Sequence, residues 1–97
     1  MKAVFLVYRV TGEFDHYHED VIWAFETSGE CNGFCLCANA WLKENGMYYG
    51  SDEAEKRYRA RRENPFPPNP FDPLFTCDYT GVKYVEGSTT YYEPPSV

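Results

Sequence analysis

Apolar side chains crowd the first forty-odd residues of the chain. In Met1–Val10 (MKAVFLVYRV), Val4, Leu6, Tyr8 and Val10 fall on one side of an extended backbone and Ala3, Phe5 and Val7 on the other. A strand that is apolar on both faces belongs inside a sheet rather than at its edge. Thr11–Asp20 (TGEFDHYHED) is polar, acidic and contains a glycine, so it reads as a loop or a wide hairpin tip. Val21–Thr27 alternates again, with Val21, Trp23 and Phe25 against Ile22, Ala24 and Glu26, and it is expected to return antiparallel to the first strand. The period then changes from two to three or four. Ser28 is a suitable N-cap and Glu30 suits the positive end of a helix dipole. Over residues 29–45, Cys31, Phe34, Cys35, Ala38, Trp41 and Leu42 share one helical stripe, opposite Asn32, Asn39 and Lys43. The spacing predicts that Phe34, Trp41 and Leu42 are buried on the strands. Gly46 after Asn45 is a natural stop.

The second half is more polar. Ser51–Glu63 (SDEAEKRYRARRE) has a serine cap, acids first and bases last, and three acid-first i,i+4 pairs: Asp52–Lys56, Glu53–Arg57 and Glu55–Arg59. It predicts a solvated helix anchored by Tyr58. Asn64–Pro73 (NPFPPNPFDP) cannot be a helix interior or a central strand, and reads as a stiff connector with Phe66 and Phe71 against the core. Leu74–Asp78 is a candidate short strand, Thr80–Gly81 a turn, and Val82–Glu86 with Ser88–Glu93 a hairpin around Glu86–Gly87. Pro94–Pro95 ends the order, leaving 94–97 as a frayed tail. The expected fold is α+β: one domain over 1–97, a small antiparallel sheet of about four strands, one main helix packed on it, and 47–73 as an insert carrying the polar helix and the proline-rich segment.

Composition sharpens this picture in two respects. Ninety-seven residues suffice for one core and not two. Aromatic residues make up 19%, half of them tyrosine, which can pack a ring and still offer a hydroxyl at a wet edge. Such a composition suits a binding surface, and equally a small β-rich domain in which Tyr and Phe fit half-buried pleats. The net charge of −6 argues against direct nucleic-acid or anionic-membrane binding. The acids concentrate in residues 1–30 and 63–97, whereas 45–62 is a basic island. Met1–Val10 is too short for a signal peptide, and no run reaches the ~18 apolar residues of a membrane span. The expectation is a cytoplasmic protein whose four cysteines stay reduced.

Three clusters carry candidate chemistry. In the loop, Glu13, Asp15, Tyr17, Glu19 and Asp20 form an acidic, aromatic patch suited to a basic protein surface. In the second helix, Arg57, Arg59, Arg61 and Arg62 with Tyr58 could hold phosphates or a nucleotide, with Tyr48 or Tyr49 stacking. Their acid partners equally explain them as a salt-laced solvent face. Cys31 and Cys35 share a helical face and could join His16 and His18 around a metal. Buried thiols explain the same cysteines without one. The tripeptides Asn64-Pro65-Phe66 and Asn69-Pro70-Phe71 resemble adaptor ligands but also fit ordinary linker chemistry. No Ser-His-Asp order, glycine-rich phosphate loop or H-E-x-x-H motif is present, so neither an enzyme nor a cofactor is expected.

Two stretches, V-F-L-V-Y-R-V-T-G-E-F-D at 4–15 and D-P-L-F-T-C-D-Y-T-G-V-K-Y at 72–84, resemble a class of small phage and prophage accessory proteins. In these, strand, loop, strand and helix precede a charged insert and a D-Y-T-G strand. The resemblance spans both ends of the chain but not 47–71, and the helix C-N-G-F-C-L-C departs from the pattern. It implies a non-enzymatic protein-binding module of the anti-defence, anti-CRISPR-like type, acting on a host protein with a basic surface in the host cytosol. A homodimer is compatible with it. A small-ligand or nucleotide-binding protein and a metal-binding domain are the alternatives.

Overall fold

The computed structural model describes residues 2–12, 16–75 and 81–91. The elements are β1 (Lys2–Thr11), β2 (His18–Phe25), α1 (Ser28–Glu44), α2 (Asp52–Arg59) and β3 (Val82–Tyr91). They form an α+β unit with one antiparallel sheet in the order β2-β1-β3. The strand that is apolar on both faces, β1, is the central one. Its two ladders run Phe5↔Phe25 to Thr11↔His18 on one side and Lys2↔Tyr91 to Thr11↔Val82 on the other.

Side chains alternate along a strand and paired residues share a face. Phe5, Val7, Arg9 and Thr11 therefore lie on the same face as Val82, Tyr84 and Glu86. That face is covered by α1. Val7, Cys31, Cys35, Ala38, Leu42, Met47, Val82 and Tyr84 make up the buried cluster. The helical stripe read from the sequence is the one that faces inward, although Phe34 and Trp41 are only partly buried against it. The β1–β2 register slips between Val7 and Tyr8: Val7 pairs with Trp23 and Tyr8 with Val21, leaving Ile22 as an extra residue. The bulge turns Ile22, expected on the face opposite Trp23, onto the core, where it is half-buried.

α1 begins at its expected cap, one residue early. Thr27, not Ser28, takes the N-cap position, and its hydroxyl accepts from the Glu30 amide. Ser28 is the first helical residue, and its hydroxyl donates to Glu86 across the sheet at 3.0 Å. At the other end, Gly46 has φ +65. Its amide donates to Lys43 O, and the Met47 amide donates to Leu42 O at 2.8 Å. This paired 5→2 and 6→1 arrangement closes the helix and stacks Met47 on Leu42 in the core. The chain then touches the sheet directly: the Val82 amide donates to Met47 O at 2.9 Å and the Tyr49 amide to Val82 O at 3.1 Å. Gly81, at φ +126, permits this approach, since a Cβ there would sit 2.7 Å from Met47 O.

Four expectations change. The hairpin around Glu86–Gly87 does not form: 82–91 is one strand along the whole of β1. A tight two-residue turn would need a positive φ at Gly87, which is absent from the positive-φ glycines. Gly87 instead makes room for the Tyr8 ring, whose Cε2 would lie 2.3 Å from a Cβ at that position. The sheet therefore has three strands among the described residues. Leu74 and Phe75 are not in a strand, and the rest of the Leu74–Asp78 candidate lies outside the described residues, as does the 94–97 tail. Asn39, expected on the solvent side of α1, is half-buried and binds β3: its Nδ2 donates to Tyr84 O at 2.8 Å and its Oδ1 accepts from the Tyr84 amide at 2.9 Å. Finally, α2 stops at Arg59, with a turn at 60–63 before Pro65 disfavours further helix. Ser51 caps it as expected, and its buried anchor is Ala54, with Tyr58 half-buried.

The proline-rich stretch is part of the core wall rather than an insert on the rim. Asn69 is 2% exposed. Its Nδ2 donates to the Tyr84 hydroxyl at 2.7 Å and its Oδ1 accepts from the Phe71 amide at 3.0 Å. Phe66, Phe71 and Phe75 pack on the core cluster. Both NPF tripeptides are thus held in the fold.

Leu42 is fully buried on α1, and Leu36, on the same helix, is 63% exposed. Leu42→Ala is expected to cost about 2–5 kcal/mol in urea unfolding, and Leu36→Ala less than about 0.5 kcal/mol. Equal effects would contradict this orientation of α1.

Candidate protein-binding cleft

The bulge in β2 and the turns after Asn69 build a cleft between them. The Asp72 amide donates to Asn69 O and the Phe75 amide to Asp72 O, which winds 69–75 back toward the sheet. β2 is an edge strand, and Ile22 and Trp23 form one wall. Phe34 of α1 and Phe71 make the floor, their rings edge-on at 5.7 Å between centroids. Pro73 and Leu74 form the far wall. The cleft is open to solvent along one side and has a volume of about 400 Å³, within the range of ligand-sized sites. Trp23 is 61% exposed at the mouth, and Leu74, 96% exposed, projects almost wholly into solvent beside it. Scattered exposed apolar residues are ordinary, but a pair bordering an apolar cavity makes this a candidate recognition surface.

One end of the cleft is charged. Asp72 lines it and accepts from Arg9 Nη1 at 2.6 Å, and Arg9 Nη2 lies 3.5 Å from Asp20. Burial alone would lower the Arg9 pKa, but the Asp72 hydrogen bond and charge, with Asp20, hold it above its ordinary value. The guanidinium also sits 4.5 Å from the Phe75 ring centroid. Two carboxylates share one cation, so the rim keeps a net negative charge. The Asp20 side chain is 56% exposed and remains open to a second cation. Behind Asp72 stands Tyr84, whose hydroxyl donates to Asp72 at 3.3 Å and accepts from Asn69. Burial, and then the charge of Asp72, push the Tyr84 phenol well above its ordinary pKa.

The structure divides the acidic patch read from the sequence. Glu13 and Asp15 lie outside the described residues. Tyr17 donates to Glu19, and both are exposed. Glu19 pairs with Val10 and Asp20 with Arg9, so the two acids lie on opposite faces of the sheet. Among the described residues of the patch, Asp20 is the one joined to the cleft, through Arg9 and Asp72. The cleft itself was not foreseen. Its signal in the sequence was Trp23 and Leu74, two large apolar residues in segments otherwise polar or interrupted by proline.

The basic set is also dispersed. Arg57 is a fastener within the fold: it donates to Asn45 O, and at 3.4 Å to both Asn64 Oδ1 and Pro65 O, and lies 5.6 Å from the Phe66 ring centroid. It ties the end of α1 to α2 and the proline segment. Arg59 pairs with Glu55 at 2.6 Å, the one predicted i,i+4 pair formed among the described ion pairs. Arg61 and Arg62 are exposed beside Tyr58, along an open hollow of about 670 Å³. No wall encloses it, so it offers a phosphate little beyond solvated charge.

The metal candidates are not brought together. Cys31 Sγ lies 3.4 Å from Leu6 O beneath α1, and Cys35 is buried next to it. His18 pairs with Thr11, five residues farther along β1, roughly 17 Å away at strand rise. His16 and His18 are exposed. Among the described residues, no three His, Cys, Asp or Glu side chains gather as a metal site. Cys37 points away from the core, as its helical phase requires, and is an exposed free thiol. No described helix is long and apolar enough to cross a membrane. In comparisons with known proteins, no family model, curated protein sequence or solved structure matches the chain.

Two measurements follow from these placements. Arg57→Ala is expected to lower stability by about 1–3 kcal/mol through the carbonyls it leaves unpaired, whereas Arg62→Ala is near neutral in the same urea titration. A neutral Arg57→Ala would return Arg57 to the solvent-facing set. The second concerns alkali. Burial, then the neighbouring Cys31, pushes the Cys35 thiol from 9.0 up to about 11. Between those values the folded chain keeps a proton that the unfolded chain releases, so the contribution is full below pH 9 and is lost as pH rises toward 11. Tyr84 acts in the same direction from its ordinary value of 10.0 upward. The melting temperature should fall above pH 9, and less steeply between pH 9 and 10 in Cys35→Ala. A slope unchanged by that substitution would exclude Cys35 as a cause.

Proposed function

We propose that this chain is a non-enzymatic protein-binding module that grips a segment with an apolar anchor and a flanking base. The observation that carries this reading is the cleft beside Trp23, whose apolar walls end at the Arg9–Asp72–Asp20 rim. An aliphatic or aromatic side chain would enter between Trp23 and Leu74 and remove both from water. A lysine or arginine nearby on the same segment would meet Asp20. Anchors in desolvated pockets supply most of the affinity of such contacts, and rim charges supply rate and selectivity. The acidic surface thus acts at the cleft rather than at the loop tip.

The narrower reading, an inhibitor of a host defence protein in the cytosol, is supported by the resemblance of residues 4–15 and 72–84 to small phage accessory proteins. On that reading the basic segment belongs to a host protein, and its occupation of the cleft blocks the surface that carries it.

Panning a random peptide display library on the purified protein tests the cleft. Sequences pairing a large apolar residue with Lys or Arg should be enriched on the wild type and lost on Trp23→Asp. Asp20→Lys should weaken a selected peptide by about two- to fivefold, the scale of an exposed ion pair. Recovery of the same sequences on Trp23→Asp would overturn the assignment.

A further inference from the structure

The cleft brings three aromatic rings, Trp23, Phe34 and Phe71, together with one carboxylate, Asp72. The planes of Phe34 and Phe71 stand at 89°, and Trp23 belongs to a different wall, so a rounded group in the cleft meets rings from more than one side. An aromatic face is the negative end of the ring quadrupole and attracts a cation, indole most strongly. The charges nearby act in the same sense. Asp20 and Asp72 against the single Arg9 leave one net negative charge, on a chain that carries −6 overall. The donor inventory then decides which cation fits. A primary ammonium brings three N–H groups and a strongly held hydration shell. The side chains lining the cleft supply one acceptor group, Asp72, and its Oδ2 already accepts from Arg9 and from the Tyr84 hydroxyl. An ordinary lysine therefore keeps its head in water, beside Asp20. A quaternary ammonium has no N–H to satisfy and retains the full charge.

We infer that the anchor this cleft takes is a trimethylated lysine on the bound segment, its head among Trp23, Phe34 and Phe71 and in the field of Asp72. The inference rests on the protein-binding reading of the cleft and names the side chain that enters it. Methylation removes the donors the cleft cannot satisfy and keeps the charge its rings and carboxylates attract. The lysine stem accounts for the rest of the lining. Ile22, Pro73 and Leu74 are aliphatic, and the cavity of about 400 Å³ has room for a stem behind the head. The same walls offer little to a small free cation without a stem. Because the cleft is open along one side, the backbone of the segment stays outside, where a neighbouring base reaches Asp20.

Titration of the isotope-labelled protein with Nα-acetyl-Nε-trimethyl-lysine amide, followed by NMR at the Trp23 indole N–H and the Phe71 amide, tests this. Two further probes separate charge from shape: the unmethylated lysine derivative, and a neutral isostere with carbon in place of the ammonium nitrogen. The trimethylated probe should bind about tenfold more tightly than either, the scale of a desolvated cation–π contact. Trp23 is 61% exposed, so Trp23→Leu keeps an apolar wall without threatening the fold. That variant, read at the Phe71 amide, should bring the trimethylated probe down to the isostere and leave the isostere nearly unchanged. Free choline, which lacks the stem, should bind more weakly. Equal binding of the trimethylated probe and its isostere would overturn the inference, as would a preference for the charge that survives Trp23→Leu. Choline binding as tightly would overturn the assignment to lysine. If the isostere wins while display peptides are still lost on Trp23→Asp, this inference falls and the apolar-anchor reading of the cleft stands. If display peptides too are indifferent to Trp23→Asp, both fall.

Discussion

Tyr84 is the residue on which the other parts of this fold converge. It is 2% exposed on an edge strand, and two separate segments, α1 and the proline-rich stretch, hold it. Asn39 of α1 binds its amide and carbonyl. Asn69 and Asp72 of the proline-rich stretch bind its hydroxyl. Phe34 packs edge-on against its ring at 6.1 Å between centroids. A buried phenol must find partners for its hydroxyl, and that need fixes where 69–75 returns to the sheet. The walls of the cleft follow from it. Asn69 must sit under Tyr84, Asp72 must reach both Tyr84 and Arg9, and Leu74 is then carried opposite Trp23.

This arrangement explains how so small a core supports a proline-rich stretch that forms no helix or strand. The segment exchanges no ladder hydrogen bonds, since its prolines have no amide to offer. It is held by side-chain bonds and aromatic contacts instead: Asn69 to Tyr84, Arg57 to Pro65 and over Phe66, Arg9 to Asp72 and over Phe75. Two arginines that look like surface charge in the sequence are the fasteners of this layer. Arg59, by contrast, pairs with Glu55 on the exposed side of α2. The same layer brings an apolar cavity and a shared carboxylate rim into one place, which is the combination that protein recognition uses.

Much of the fold was legible in the residues. The two-sided apolarity of β1 placed it at the centre of the sheet, and the period of Cys31, Cys35, Ala38 and Leu42 gave the inward face of α1. The stops at Gly46 and the cap at Ser51 follow from local chemistry that needs no distant partner. Apart from the α1 cap and the end of α2, the errors occurred where distant partners decide. Gly87 looked like a turn because glycine usually marks one, yet β1 offers a ladder ten residues long and Tyr8 covers the glycine. Asn39 looked solvated because its helical phase opposes the stripe, yet α1 lies so close to the edge of β3 that its flank meets Tyr84. Glu19 and Asp20 looked like one surface because they are consecutive, and strand alternation places them on two faces.

The sequence by itself determined the elements that depend on near neighbours: which residues pair in period two, which in period three to four, where α1 stops, where α2 is capped and where proline forbids a ladder. The tertiary structure alone decided which polar residues face solvent and which are internal fastenings. Arg9, Arg57, Asn39 and Asn69 have side chains that could serve either end. Their roles depend on which backbone groups and rings the fold leaves within about 3 Å of them, and local periodicity carries no information about groups thirty or sixty residues away.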